Sequence, residues 1–451
     1  MTEISVDLSK RGSAIRPLNA VNNGPMFPDG GVRKTATNFE AYKAAGFSYA
    51  RLHDTAFAPG CAGEHLVDVH RIFKNFDADE NDPASYVFGP TDRYILNIIA
   101  AGTKVFYRLG ASIEHQYKYG TLPPKDFAKW ARICEHIILH YNEGWADGYH
   151  LGIEYWEIWN EPDTGYKQNN SPTWGGTMDA FFELFEITLY HLKARFPQLK
   201  IGGPALCSVT DSRDIFEDML RYLNRNGKHA PLDFFSWHMY GEDVTEFEYK
   251  IRLVQQMLEK YGYGDAENIL NEWNYVLGWT GEQLTYSYKM NKAAKGAAFV
   301  AGAMCIGQAL GLDMLMFYEG RPKTPWCGLF AGAENLPTVT YGVYPMFARL
   351  LSLGTHVPTE WKDGVYSCAA TDGEKYGLLL TRFKPDDATE PEDLALSFSK
   401  PAGAYKVSYH LLNDESPDGR LVREEYFTAD TFRVYIKMKN FDTYYISVEK
   451  M

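Results

Sequence analysis

Short β-rich runs alternate with amphipathic helical stretches over most of this 451-residue chain, and this alternation constrains its fold most strongly. The candidate strands are residues 16–21, 49–53, 104–109, 155–160, 200–203, 234–238, 268–271 and 314–318. The candidate helices are residues 38–45, 94–101, 124–142, 178–194, 214–226, 246–261, 291–310 and 343–353. Eight such pairs in order predict an α/β fold, the (β/α)8 TIM barrel. An open doubly wound sheet would favour a glycine-rich turn after its first strand, which Val21-Asn22-Asn23-Gly24-Pro25 does not supply.

From about residue 355 the pattern changes to period-two strands, which are typical of a β-sandwich. The candidate strands are residues 366–370, 377–383, 394–398, 405–412, 432–438 and 443–448. Turn signals stand at Asp372-Gly373 and at Pro417-Asp418-Gly419. We therefore predict a catalytic barrel at residues 15–354 and an accessory C-terminal β-sandwich at residues 355–451, joined by an N-terminal strand within residues 1–14. Residues 55–90 are the main predicted insertion.

The net charge of −13 argues against nucleic acid or an anionic membrane surface as the main partner, whereas a neutral glycoside or oligosaccharide is compatible with it. Residues 296–312 are weakly polar, but Gln308 and many small residues favour a buried helix over a membrane span.

The six cysteines form no CxxC pair, which indicates free thiols, and no metal or other cofactor is predicted. Because no secretory leader is visible, we expect a cytoplasmic location; a removed leader and a homo-oligomeric state are left open.

Two short runs place a glutamate at a predicted strand end: Trp156-Glu157-Ile158-Trp159-Asn160-Glu161-Pro162 and Asn268-Ile269-Leu270-Asn271-Glu272-Trp273-Asn274. Each run alone is also explained by an ordinary turn or capping role. In a barrel, however, the strand ends that lead into helices share one face. Splitting a glycosidic bond needs a proton donor and a second carboxylate, so the pair predicts an enzyme that acts on sugars. Asn160 is suited to bind a substrate hydroxyl.

Other predicted strand ends carry groups that suit a sugar pocket. Arg51-Leu52-His53-Asp54 ends the second strand and Trp237-His238-Met239-Tyr240 ends the sixth. A lone buried histidine is more often a core residue, but the shared barrel face favours hydroxyl recognition here. Tyr240 is expected to donate to Glu272 and hold it ionised. Further rim candidates are Tyr107, Arg108, Tyr318 and Glu319, and candidates for ring stacking or for ordinary packing are Trp174, Trp279 and Trp326.

The Trp159-Asn160-Glu161-Pro162 run, His238 with Tyr240, and Glu272 resemble the retaining glycosidases of the clan built on (β/α)8 barrels. The Arg51-Leu52-His53 run, the turn after the first strand and the trailing sandwich resemble glycoside hydrolase family 39 more narrowly. That family contains β-xylosidases and α-L-iduronidases, and the resemblance covers nearly the whole chain. It implies that Glu161 is the general acid/base and Glu272 the nucleophile. It implies substrate-binding roles for His53, Asn160, His238, Tyr240 and Glu319. Their positions at the rim add Tyr318 and Trp326 as predicted substrate-binding residues.

The expected reaction is a double displacement with retention, which needs carboxyl groups roughly 5–5.5 Å apart. Glu161 is expected to keep its proton partly because of the charge of Glu272. The first expectation is an exo-acting β-xylosidase-like enzyme on plant-type oligosaccharides, although residues 317–330 depart from the rim of a standard β-xylosidase. β-Glucosidase, β-galactosidase and arabinobiosidase activities are alternatives on the same fold, and a carbohydrate-binding protein without catalysis is the competing class.

Overall fold

The computed structural model describes residues 2–29, 36–55, 65–114, 119–322, 324, 326–399 and 403–451. Eight parallel strands close into a barrel in chain order, which confirms the predicted TIM barrel. The barrel strands are β2 (Ala20–Asn22), β3 (Tyr49–Arg51), β4 (Lys104–Leu109), β5 (Tyr155–Ile158), β6 (Lys200–Leu206), β7 (Phe234–Gly241), β8 (Glu267–Tyr275) and β9 (Met314–Phe317). These strands are buried on both faces, which explains why they read as continuous apolar runs.

Helices between the barrel strands bury one apolar face each. In α4, for example, Trp130, Ile133, Cys134 and Ile137 follow helical spacing and are buried, and Asp126 caps the first turn. The α-helices of the described residues are α1 (Phe39–Ala45), α2 (Val69–Ile72), α3 (Gly89–Ala100), α4 (Phe127–Glu143), α5 (Met178–Arg195), α6 (Arg213–Leu223), α7 (Thr245–Lys260), α8 (Gly281–Met290), α9 (Ala294–Leu310) and α10 (Val343–Leu353). The short 3-10 helices are Pro83–Ser85, Tyr166–Gln168, Arg225–Gly227 and Thr340–Gly342.

Apolar side chains close the barrel interior at the N-terminal ends of its strands. This plug consists of Ala20, Tyr49, Phe106, Tyr155, Phe234, Ile269, Met314 and Met316. Side chains on a strand alternate between its faces, so the residues two positions beyond Tyr49 and Tyr155 again point inward. Those residues are Arg51 and Glu157, and both are fully buried. The plug therefore leaves room for polar groups only toward the C-terminal face.

Two further sheets share a separate hydrophobic core, as a β-sandwich does. The three-stranded sheet has the order β1 (Thr2–Asp7), β15 (Glu392–Ser399) and β18 (Thr431–Met438). The six-stranded sheet has the order β12 (Thr355–Val357), β13 (Val365–Thr371), β14 (Lys375–Arg382), β19 (Thr443–Lys450), β16 (Tyr405–Asn413) and β17 (Ser416–Phe427). A small hairpin pairs β10 (Phe330–Ala331) with β11 (Leu336–Pro337). The N-terminal strand β1 lies parallel to β15, while the domain bounds stay predictions.

One turn predicted in the sandwich is wrong. Pro417-Asp418-Gly419 lies inside β17, and the chain turns earlier, at Asp414 and Glu415. These three residues stand at a register shift, where Leu411 pairs with Arg420 and Asn413 with Ser416, and Gly419 has a φ of 64°. They therefore form a bulge within β17, where a proline is tolerated. Asp372-Gly373, by contrast, separates β13 from β14 as predicted.

The weakly polar stretch around residues 296–312 forms α9, which is buried from Ala294 to Gln308. No single helix of the described residues is long and apolar enough to cross a membrane. Helices α8 and α9 together have the length and composition of a membrane span, but the chain bends by 76° between them. The free cysteines of the described residues are Cys134, Cys207, Cys305, Cys327 and Cys368, and Cys61 lies outside those residues.

Candidate active site

The C-terminal ends of the barrel strands surround a cavity of about 500 Å³. Seven of the nine site residues predicted from the sequence line it: His53, Glu161, His238, Tyr240, Glu272, Tyr318 and Trp326. The other two, Asn160 and Glu319, are fully buried and do not line this cavity. The cavity lies at the barrel face where catalytic groups gather in this fold.

Glu161 leaves β5 on a strained backbone. The φ angles of Trp159 and Glu161 are 78° and 48°, in the left-handed region that costs a side-chain-bearing residue about 1–2 kcal/mol. The Trp159 N–H donates to the Leu109 carbonyl at 3.0 Å, and the Glu161 N–H donates to the Ala205 carbonyl at 2.9 Å. The neighbouring strand ends therefore hold the turn that carries Glu161. Strain of this kind clusters at functional sites.

The carboxyl group of Glu161 contacts two polar side chains. Its Oε1 lies 2.7 Å from Nδ1 of His238, and its Oε2 accepts the Thr164 hydroxyl at 3.2 Å. Burial raises the pKa of Glu161 and lowers the pKa of His238 to about 4, so the imidazole is neutral near pH 7. A neutral imidazole can accept from protonated Glu161 or donate to ionised Glu161. Burial is thus the cause that raises the pKa of Glu161, whereas the effect of one glutamate charge on the other contributes to the raised pKa of Glu272.

An extra residue in β8 turns Glu272 toward the barrel interior. Trp237 of β7 pairs with Leu270, but the next residue, His238, pairs with Glu272, so Asn271 forms a one-residue bulge. A bulge shifts the alternation of side chains by one position. The Asn271 amide and the Glu272 carboxylate consequently both reach polar groups inside the barrel. Regular alternation would have pointed one of them outward.

Two donors hold the Glu272 carboxylate. The Tyr240 hydroxyl donates to Oε1 at 2.7 Å, the contact expected from the sequence, and Arg51 Nη1 donates to Oε2 at 3.0 Å. Burial raises the pKa of Glu272 and the charge of Glu161 adds to this, while Arg51 and Tyr240 act in the opposite direction. An arginine stays charged at any working pH. Of the two glutamates, Glu272 is therefore the one with a fixed cation beside it.

Glu161, Glu272 and His238 approach one another closely. One carboxylate oxygen from each glutamate and one ring nitrogen of His238 all lie within 4.8 Å of one another. Such a group is also spaced to hold a metal ion, but the Arg51 guanidinium contacts Glu272 directly and would repel a second cation. The electrostatics therefore favour a carboxylate pair without a second cation beside it.

Arg51 and Glu157 form a polar layer inside the barrel beneath Glu272. Arg51 donates to Glu157 through Nε at 2.7 Å and to Oδ1 of Asn160 through Nη2 at 2.6 Å. Glu157 also accepts the Ser236 hydroxyl at 2.6 Å. Sequence reasoning gave Glu157 no role. A charged residue at an inward position of a barrel strand was the signal that could have found it.

Several buried polar atoms of the described residues have no hydrogen-bond partner. They include Nδ1 of His53, which lines the cavity, and Nδ2 of Asn160, the residue before Glu161. An unsatisfied buried polar group costs about 1–3 kcal/mol. Burial also keeps the pKa of His53 well below its usual value, so its ring is neutral. Both atoms are suited to bind the hydroxyl groups of a ligand.

Consecutive residues after β9 point in different directions. The Tyr318 hydroxyl donates to Oδ2 of Asp54 at 2.6 Å, and its ring lies 5.7 Å from the Trp326 ring in a stacked arrangement. Glu319 instead accepts from Nε of Arg321 at 3.0 Å and from the Thr324 hydroxyl at 2.6 Å. The structure therefore places Tyr318 and Trp326 at the cavity and Glu319 behind its wall.

Three rim or stacking candidates lie away from the cavity. Tyr107 belongs to the main hydrophobic core. Arg108 is fully buried and donates to Asp68 at 2.7 Å. The Trp174 indole is buried against Trp159 with ring centroids 5.1 Å apart. The rim positions expected for Tyr107 and Arg108 were wrong, because the sequence does not show which strand face a side chain occupies near a strand end. Trp174 takes the packing role that the sequence offered as its alternative.

Asp163, two residues after Glu161, gives a testable stability effect. Its carboxylate accepts the backbone N–H groups of Cys207 at 2.9 Å and Ser208 at 3.4 Å, and burial raises its pKa from 3.8 to about 6. A raised carboxyl pKa means that unfolding free energy is lost as pH rises from about 4 through 6, by about 3 kcal/mol in total. Asp163→Asn removes this loss. The free energy of unfolding of the variant minus that of the wild type should therefore increase by about 2 kcal/mol between pH 4 and pH 7.

Chemical denaturation at several pH values measures this difference. Asp211→Asn, which changes an exposed carboxylate on the neighbouring loop, is the matched control and should leave the pH dependence as it is. A pH-independent offset for Asp163→Asn would contradict the burial argument.

A sequence model of the family described as "Glycosyl hydrolases family 39" matches residues 39–273, just over half of the chain. The chain belongs to this family. The matched region of this family 39 chain contains both Glu161 and Glu272 as well as Arg51, His238 and Tyr240. The family predicted from the sequence is thereby confirmed.

Two curated relatives of the family 39 chain are β-xylosidases. One, from Caldicellulosiruptor saccharolyticus, is 26% identical over 209 residues, which cover 44% of this chain and 38% of that protein. The other, from Geobacillus stearothermophilus, is 27% identical over 240 residues, which cover 48% of this chain and 42% of that protein. The matches thus span less than half the length of either relative.

A solved glucosidase from Croceicoccus marinus has the same fold as this family 39 chain. The TM-score is 0.80 at 20% identity, covering 100% of this chain and 99% of that one. The likeness includes both the barrel and the sandwich sheets. At this identity it concerns the fold alone.

Proposed function

We propose that the protein is a retaining glycoside hydrolase that cleaves β-linked sugars, with Glu161 as general acid/base and Glu272 as nucleophile. The spacing of their carboxylate oxygens, within 4.8 Å, carries this proposal. Retaining enzymes hold the two carboxyl groups roughly 5–5.5 Å apart, whereas inverting enzymes need roughly 6.5–9.5 Å to admit a water. The short spacing supports a double displacement.

In the first step Glu272 attacks the anomeric carbon, and protonated Glu161 gives its proton to the departing glycosidic oxygen. The new bond joins Glu272 to the sugar while the bond to the leaving group breaks. Formation of the ester removes the charge of Glu272 and lowers the proton affinity of Glu161. Glu161 then takes a proton from the water that attacks the ester, which frees the sugar and restores both carboxyl groups.

The surrounding residues support these roles in different ways. Arg51 and Tyr240 favour the ionised form of Glu272 and hold its carboxylate in place. His238 can contact Glu161 in both of its protonation states. His53 and Asn160 bind hydroxyl groups of the sugar through the polar atoms that the fold leaves unpaired.

For substrate we propose a β-xylosidase-like, exo-acting enzyme. The two curated relatives are β-xylosidases, which supports xylose as the first glycone to test. The deep end of the cavity is lined by buried His53 and His238, whereas Trp279 and Asp211 at its other end are exposed, which supports a pocket closed at one end. Tyr318 and Trp326 belong to the divergent segment 317–330, and we expect this segment to decide the substrate.

A panel of chromogenic β-glycosides tests the proposal. The wild-type enzyme should hydrolyse at least one of the xyloside, glucoside, galactoside and arabinoside, with the xyloside favoured. Hydrolysis of none of them by folded protein would contradict the proposed activity. Preferred hydrolysis of a glycoside other than the xyloside would be consistent with the proposed mechanism and would replace xylose as the proposed glycone.

A further inference from the structure

Trp279 presents an unusually exposed aromatic surface at the cavity. Its side chain is 56% exposed while it still lines the cavity. Apolar surface left in water forgoes about 25 cal/mol per Å² of burial, and exposed aromatic surface in a concave site marks binding. The Trp279 ring lies 5.2 Å from that of Tyr240 and 5.7 Å from that of Trp326. We call these three side chains the aromatic wall.

The sandwich holds the aromatic wall from behind. Trp279 stands just before α8, and Tyr286 of α8 donates its hydroxyl to Asp387 at 2.5 Å. The buried Lys295 of α9 donates to the same carboxylate at 2.7 Å. Asp387 belongs to the loop between β14 and β15 of the sandwich. The element that follows Trp279 is thus fixed before any ligand binds, which lowers the entropic cost of binding.

A polar strip, residues 207–211, lines the cavity together with this wall. The strip follows β6 and offers the hydroxyls of Ser208 and Thr210 and the carboxylate of exposed Asp211. At its start, the Ala205 carbonyl near the end of β6 accepts the Glu161 N–H at 2.9 Å, and the Cys207 N–H donates to Asp163 at 2.9 Å. The strip therefore lies on the side of the proton donor, and the leaving oxygen must lie on that side as well.

We infer that the polar strip and the aromatic wall bind the leaving-group sugar of a disaccharide or longer oligosaccharide. This inference rests on the proposed glycosidase function. The deep end of the cavity would hold the sugar that Glu272 attacks, so the leaving group lies toward the exposed end, where Trp279 and Asp211 stand. A sugar ring has an apolar face that can stack on an indole and hydroxyl edges that can bond to the strip.

The cavity size agrees with two rings rather than one. Its volume of about 500 Å³ falls within the ~300–1,000 Å³ of pockets that enclose drug-sized ligands, which are much larger than one pyranose. A substrate with a small leaving group would leave Trp279 and the polar strip unused, although Tyr240 would still hold Glu272. The inference therefore predicts that the wall discriminates between substrates by their leaving groups.

The test compares two substrates that share a glycone: β-1,4-xylobiose, with a sugar leaving group, and β-xylosyl fluoride, with a single atom. The glucosyl or galactosyl pair replaces them if the glycoside panel selects that glycone. Trp279→Ala should lower kcat/KM for the disaccharide about 10-fold and leave the fluoride nearly unchanged. Trp279→Phe should recover part of the loss. Tyr249 is an exposed aromatic residue on α7 outside the cavity, so Tyr249→Ala is the matched control. It should leave kcat/KM unchanged for both substrates.

The possible failures are distinguishable. If the wild-type enzyme hydrolyses neither substrate of any pair, the proposed function itself is wrong. Suppose that the wild type hydrolyses the fluoride. If Trp279→Ala then lowers kcat/KM equally for both substrates, or for neither, the assignment of the wall to the leaving group is overturned.

Discussion

Replacing Glu272 with alanine is expected to lower kcat by roughly 10⁴–10⁶-fold, because removing a nucleophile eliminates the covalent step. The smaller side chain leaves space beside the anomeric carbon, so azide should enter and restore turnover of an activated β-glycoside. Because azide attacks directly in a single displacement, the glycosyl azide formed should have the inverted configuration. Rate measurements with and without azide, and NMR of the product, check both parts.

Glu267→Ala is a matched control for this variant. Glu267 lies on the same strand but at its N-terminal end, where it contacts Lys200. Activity should therefore persist in this variant. Circular dichroism should show both variants folded. A Glu272→Ala enzyme that keeps near wild-type activity would remove Glu272 from the nucleophile role.

Replacing Glu161 with alanine is expected to lower the catalytic activity by a factor that depends on the leaving group of the substrate. General acid catalysis contributes about 10²–10⁴-fold, and a good leaving group needs little protonation. Activity on an unactivated disaccharide should fall by that factor, while bond cleavage in a dinitrophenyl glycoside should fall far less. Hydrolysis of the glycosyl ester should also slow, because Glu161 activates the water, so the covalent intermediate should accumulate. Pre-steady-state kinetics and mass spectrometry of the intact protein measure both effects.

Glu154→Ala is the control here, since Glu154 is exposed just before β5. The Glu154→Ala variant should keep wild-type activity on both the disaccharide and the dinitrophenyl glycoside. If Glu161→Ala loses equal activity on activated and unactivated substrates, the acid/base assignment is contradicted.

Much of the fold followed from sequence periodicity. Strands of the barrel interior and their helices have strong and distinct patterns. Glu161 follows the end of β5 as predicted, whereas Glu272 lies inside β8. Strand bounds were less accurate: β8 continues to Tyr275, beyond the predicted end at Asn271. Hydrogen bonding to β7 extends it, and such tertiary pairing is not encoded in a local pattern.

The finer geometry of the site depended on details that the sequence does not display. The bulge at Asn271 decides that Glu272 faces inward, and it arises from the register between two strands. In the sequence, Glu157 is only one residue of the run that contains Glu161. In the closed barrel, its carboxylate accepts a hydrogen bond from Arg51. Glu319 looked like a sugar ligand, and its binding to Arg321 became visible only in three dimensions.

The stereochemistry of the reaction tests the central claim most directly. The wild-type enzyme is mixed with a β-glycoside that the panel selects, and the anomeric proton of the first-formed free sugar is followed by NMR before mutarotation. A double displacement through Glu272 predicts that the β-anomer appears first. Initial appearance of the α-anomer would contradict the assignment of Glu161 and Glu272 as a retaining pair.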